Sequence, residues 1–178
     1  MKEREREAVF AVVSKAVEST SHYPFLFIGS GLSRRYMGAP SWEELLKGIC
    51  ENVLEDPFAY AKFLGEAKMA KDRGEVRSIM PRVATLMEPP VHEALFGKEK
   101  FAHFVKSNLD RLSSGTSALK IYAADIFKRL SMGRMTDETE LLSRVGRERL
   151  SGVITTNYDQ LCESLFPGFV TYVGEGDL

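Results

Sequence analysis

Cysteine is nearly absent. Cys50 and Cys162 are the only two in 178 residues, far apart, which excludes a disulfide scaffold and a zinc site built from cysteine alone. An excess of either charge is also missing. The 24 Lys and Arg against 25 Asp and Glu leave a net charge of −1, which argues against a dedicated nucleic-acid or membrane-surface protein. No apolar run approaches the length that crosses a bilayer. The opening Met-Lys-Glu-Arg-Glu-Arg-Glu has no signal core behind it. Together these absences predict a cytoplasmic protein. The three histidines, His22, His92 and His103, share no ligand spacing with cysteine or with each other, so no metal site is expected. Internal repeats and low-complexity stretches are lacking too.

What remains is an ordinary globular composition, 44% hydrophobic and 28% charged, at a length suited to one domain. Residues 3–19 carry Val9, Val12, Val13, Ala16 and Val17 at helical spacing behind a run of alternating charges, which predicts an amphipathic helix. After Pro24 the short apolar run Phe25-Leu26-Phe27-Ile28 predicts a buried parallel strand. It runs into Gly29-Ser30-Gly31-Leu32-Ser33. Ser41 with Glu44 three residues on is a capping box, so a helix should start at Trp42 and bury Trp42, Leu45, Leu46, Ile49 and Val53. Nearly everything up to about residue 149 then reads as helix, clearest at 119–130 and similar at 101–112 and 137–148. Gly74, Pro81, Pro89-Pro90, Gly115 and Gly133 should divide it into about five helices. Leu150-Ser151-Gly152-Val153-Ile154-Thr155-Thr156 predicts a second buried strand, Asn157 opens a short helix ending before Pro167, and 169–173 alternate as a third strand. The polar, glycine-rich end at 174–178 suggests a chain cut from a longer protein.

Chemistry concentrates at two strand-to-helix junctions. At the first, Gly29 and Gly31 either shape a tight turn or let an anion approach the backbone N–H groups, with Ser33 and Arg34 or Arg35 as added donors. The dinucleotide fingerprint Gly-x-Gly-x-x-Gly is incomplete, because Arg34 occupies its sixth position. At the second, Asn157 with Gln160 reads as a helix cap. Alternatively, Asn157 and Asp159 project from the carboxyl end of a parallel strand, where open α/β sheets bind ligands.

Three motifs in order, Phe-Ile-Gly-Ser-Gly-Leu-Ser at 27–33, Gly-Ala-Pro-Ser-Trp-Glu-Glu-Leu-Leu at 38–46 and Ile-Thr-Thr-Asn-Tyr-Asp at 154–159, resemble the sirtuin-like NAD-binding domain. The resemblance is to its bacterial branch found in anti-phage defence proteins. It implies an α/β fold, a sirtuin-like Rossmann-type parallel sheet, over residues 1–178, with a large helical insertion at about 43–148. It implies that Gly29, Ser30, Gly31 and Ser33 hold the NAD pyrophosphate, with Arg34, Thr155 and Thr156 also binding NAD. Asn157 would contact the nicotinamide ribose, and Asp159 would orient the pocket near the carboxamide. The implied activity is NAD hydrolysis to nicotinamide and ADP-ribose, which depletes NAD during phage attack. Homo-oligomerisation or a phage protein acting on a C-terminal region would be the trigger.

The departures from the family are informative. The four cysteines of the deacylase zinc module are missing, and the helical stretch stands in its place, which counts against protein deacylation. Ser30 replaces the commoner Ala between the glycines, and Gly38-Ala39-Pro40-Ser41-Trp42 stands where deacylases carry a Gly-Ile-Pro-Asp-Phe-Arg-like stretch. The family's catalytic His would follow the Thr-x-Asn-x-Asp motif by a few tens of residues, yet no His follows His103. The chain is therefore expected to be a fragment that ends before its general base. A different class, a non-catalytic module that binds NAD or ADP-ribose or drives oligomerisation, is the alternative.

Overall fold

The computed structural model describes residues 7, 11, 12, 14, 15, 18, 23–131, 133, 137–157 and 159–172. Among them the chain is mostly helical, with one two-stranded parallel sheet. It divides into two compact units, one of residues 1–37 with 132–178 and one of residues 38–131. The described residues of the predicted 3–19 helix are helical. Val12 is exposed there, while Val9, Val13, Ala16 and Val17 lie outside the described residues.

In the first unit, β1 (Phe25–Ile28) leads into helix α1 (Ser30–Met37). Helix α8 (Asp137–Arg149) precedes β2 (Gly152–Thr155), and the five-residue α9 (Leu161–Leu165) follows it. The strands pair in parallel, Phe25 with Gly152 through Ile28 with Thr155, so their carboxyl ends share one edge. Leu26, Ile28 and Val153 pack with Leu32, Leu161, Cys162, Leu165 and Phe166 into a small core. The other face is open: Phe25, Phe27 and Ile154 are at least half exposed. A run of four apolar residues predicted burial on both faces. Alternation turns Phe25 and Phe27 away from the helices that cover Leu26 and Ile28. The third strand is also corrected. The Phe169 N–H closes a turn onto the Phe166 carbonyl, Val170 and Tyr172 are exposed, and described residues 169–172 form no strand. Val173 and 174–178 lie outside the described residues.

The second unit is helical. It comprises α2 (Trp42–Ile49), a π-helical turn (Cys50–Leu54), α3 (Ala59–Asp72), α4 (Ile79–Gly97), a 3-10 turn (Glu99–Phe101), α5 (Ala102–Ser107), α6 (Leu109–Ser113) and α7 (Ala118–Lys128). Helix α8, predicted within the helical insertion, groups instead with the strands. The capping box is present: Glu44 N–H donates to Ser41 Oγ and Ser41 N–H to Glu44 Oε2. Leu45, Leu46, Ile49 and Val53 are buried as predicted, but Trp42, at the first helical position, is half exposed. Gly74 and Gly115 end α3 and α6 with positive φ and the paired 6→1 and 5→2 bonds of a Schellman motif. The predicted helix over 101–112 is instead three short pieces, broken at Asn108, whose side chain donates to the Phe104 carbonyl.

Pro89-Pro90 was expected to break the chain, yet α4 continues through both. Each proline removes an N–H and crowds the preceding turn. Val83, Met87, Val91 and Leu95 recur every four residues and are almost wholly buried. That apolar stripe crosses the prolines and holds the helix, since packing of one face dominates helix stability in proteins.

At the end of the π-helical turn Glu55 takes a left-handed conformation, φ 61°. Two lysines fasten it. Lys98 Nζ donates to the Val53 carbonyl at 2.9 Å, the Leu54 carbonyl at 3.3 Å and Glu55 Oε2 at 2.8 Å. Lys100 Nζ donates to the Asn52 carbonyl and to Glu55 Oε1. Lys100 and then Lys98 hold the Glu55 carboxyl down, from an ordinary 4.5 to about 2. Because its folded value is depressed, the stabilisation from Glu55 is complete above about pH 4.5 and lost as pH falls through 2. A carboxyl titration by NMR should show the Glu55 midpoint near 2, and Lys100→Met should return it toward 4.5. An unmoved midpoint in Lys100→Met would show that the lysine is not its cause.

Candidate functional site

The site forms where β1 and β2 end. Parallel pairing sets the two strand-to-helix junctions side by side, although more than a hundred residues separate them in sequence. After β1, Gly29 is the single residue before α1 begins at Ser30. The predicted loop is thus already helix at Gly31 and Ser33. No acidic residue lies in the first turn of α1, so its partial positive charge is not offset there. Ser33 is buried, Gly31 and Arg34 are exposed.

After β2, Asn157 does not cap a helix. Helix α9 starts at Leu161, and Gln160 at its N-cap makes no side-chain bond. The carboxylate of Asp159 accepts the Leu161 N–H at 3.0 Å instead. The helix-starting bond thus falls to Asp159, a residue 9% exposed. Asn157 is left to reach across: its Nδ2 donates to Ser33 Oγ at 2.9 Å, and its backbone N–H donates to Thr155 Oγ1 at 3.1 Å. The two residues singled out at separate junctions therefore touch. Thr155 closes β2, half-buried, and Thr156 follows it, exposed. Beneath them the Cys162 thiol is pushed above its ordinary value by burial, which keeps it a protonated, unreactive thiol.

The flanking basic pair divides. Arg35 is taken by Glu138, with 2.8 and 2.6 Å bonds to the two carboxylate oxygens, and the Tyr36 hydroxyl donates to Glu138 Oε2 at 2.7 Å. The Tyr36 and Arg35 hydrogen bonds hold the Glu138 carboxyl below its ordinary range. Arg35 therefore ties α1 to the start of α8. The only sequence signal for this clamp was the acidic first turn of α8, which does not name its partner.

The glycines sort by physical cause. A Cβ on Gly146 would come within 2.3 Å of the Phe166 ring, and one on Gly152 within 2.6 Å of the Phe25 ring. Packing requires glycine at 146, under the buried Phe166 ring, whereas at 152 the exposed Phe25 ring would have to turn aside. At Gly29 and Gly31 a Cβ would meet nothing within 4 Å, and φ is positive at neither. Neither packing nor conformation requires glycine at these two positions, and the space beside the main chain is open. Gly31→Ala is expected to stabilise the protein by about 0.5–1 kcal/mol through helix propensity. Gly146→Ala, also helical, should instead cost about 1–3 kcal/mol because the buried Phe166 ring must shift. Denaturant midpoints of the two variants check the opposite signs.

Among the described residues no group of three or more His, Cys, Asp or Glu side chains is placed to hold a metal. No helix there is long and apolar enough to cross a membrane. Comparison with protein-family models, with curated proteins and with solved structures finds no match.

Proposed function

We propose that the chain is the NAD-binding part of an NAD hydrolase, a sirtuin-like Rossmann-type domain of the kind used in bacterial anti-phage defence, acting in the cytoplasm as a homo-oligomer. One observation carries the reading: the Asn157–Ser33 hydrogen bond, which joins the glycine motif and the Thr-Thr-Asn-Tyr-Asp motif at the carboxyl ends of two parallel strands. Ligands of open α/β sheets bind at that edge.

In this proposal the N-terminal turn of α1, with Gly29, Ser30 and Gly31, receives the pyrophosphate, and Ser33 positions Asn157. Arg34 adds charge, and Thr155 and Thr156 line the ribose side. The bond from ribose C1′ to the nicotinamide nitrogen breaks with its electron pair leaving on the ring, which becomes neutral nicotinamide. Water then bonds to C1′ and releases one proton, giving ADP-ribose. The sugar passes through an oxocarbenium-like state. The Asn157 amide oxygen, which has no partner among the described residues while Nδ2 serves Ser33, can face that developing positive charge. Asp159 adds negative charge nearby while it holds the start of α9.

The test is nicotinamide release from NAD by the full-length protein and its Asn157→Ala variant, with and without phage lysate. Release by the parent and its loss in the variant support the proposal. Binding of NAD without release under any condition would favour the NAD- or ADP-ribose-binding module, and absence of binding would remove both. Gly31→Ala should weaken NAD binding even as it raises stability, because its methyl group occupies the open space beside the main chain.

A further inference from the structure

The helical unit holds a cationic groove that the candidate site does not use. Its cavity of about 370 Å³ is lined by Val76, Arg77, Ser78, Pro81, Arg82 and Thr85, from the turn before α4 into its second turn. Among the described residues the lining contains two arginines and no acid. Arg82 Nε is shut off from solvent and has no hydrogen-bond partner among the described residues. Neither Arg77 nor Arg82 belongs to an ion pair among the described residues. The nearest acid in sequence, Glu75, is occupied by Arg73 at 2.6 Å. Ser78 stands at the N-cap of α4 in extended conformation, and its side chain makes no capping bond. No acidic residue lies in the first turn.

These facts share one physical consequence. A guanidinium stays charged at every accessible pH and offers five donors. Two of them in one concavity repel each other, and a partly buried one without a counter-charge is costly. The amino end of α4 adds partial positive charge to the same place. An anion would answer all three. A phosphate group suits the guanidinium fork and the Ser78 hydroxyl. Thr85 is not a donor here, since its hydroxyl already donates to the Pro81 carbonyl at 3.0 Å. The groove is open to solvent and larger than one phosphate, so a phosphate seated in it can carry a further, solvent-facing group. Val76 and Pro81 offer apolar surface to the rest of such a molecule. We propose that this groove binds the phosphate group of a small phosphorylated molecule.

The experiment is an amide NMR titration of the full chain with inorganic phosphate and with ribose 5-phosphate, at ionic strength held constant with chloride. Saturable shifts confined to residues 76–85, tighter for ribose 5-phosphate, are expected. Arg77 is exposed, so Arg77→Ala should keep the fold and weaken binding about tenfold; Arg82→Met should weaken it at least as much. Arg73→Ala combined with Glu75→Ala, which removes the neighbouring ion pair whole and frees no carboxylate, should leave binding intact. Equal affinity in Arg77→Ala and the parent would overturn the site, as would shifts reproduced by chloride alone. Ribose 5-phosphate binding no more tightly than inorganic phosphate would overturn the assignment to a phosphorylated molecule and leave a site for the free ion.

Discussion

Asn157→Ala is expected to lower nicotinamide release from NAD by about 10²–10³-fold, the usual loss when one preorganised polar group facing transition-state charge is removed. The loss should fall on kcat more than on KM, because the Asn157 amide would act on charge that develops only as the bond breaks. Stability should fall by about 1 kcal/mol and no more, since the hydrogen bond to the buried Ser33 hydroxyl is lost but Asp159, not Asn157, starts α9. Ser33→Ala provides the comparison. It removes the group that receives Nδ2 but leaves the amide in place, so kcat should fall less. Stability should fall by about 1 kcal/mol, because Ser33 is buried and its hydrogen bond is lost. Equal rates for Asn157→Ala and the parent would remove Asn157 from the reaction.

Met87→Ala should cost about 2–5 kcal/mol, the range for emptying a long buried apolar side chain. Met87 is wholly buried in the middle of α4, two residues before Pro89-Pro90, and its sulfur lies 3.9 Å from the Cys50 thiol. The stripe that carries α4 across its prolines thus loses one of its two long side chains right beside them. Met69→Ala is the control. Met69 is mostly exposed on α3, and its change should stay within about 0.5 kcal/mol. Urea denaturation of both variants reads the difference. Similar midpoints would mean that α4 owes its continuity to something other than this stripe.

Local signals were legible where the residues that make a feature are neighbours in sequence. The Ser41–Glu44 box, the glycine stops at Gly74 and Gly115 and the two short strands needed only nearby residues, so spacing alone revealed them. Both strand-end junctions were also visible, and with them Ser33, Asn157 and Asp159 as candidates. The cap at Asn157 was misplaced because Asn157 and Asp159 offer equivalent side chains for the same task. Only the cross-chain contact with Ser33 separates them.

The sequence by itself determined two of the three expected strands and the long helices, where several of them stop, and which polar residues stand at the strand ends, since backbone preferences and capping act over a few residues. Tertiary structure alone decided that β1 and β2 lie side by side and bring Asn157 to Ser33, because that pairing joins segments more than a hundred residues apart. It alone decided that α4 survives two prolines, because the burial that offsets their cost comes from other helices. It alone left Phe25 and Phe27 exposed, because an apolar run states what it favours, while the elements packed around it settle which face is covered.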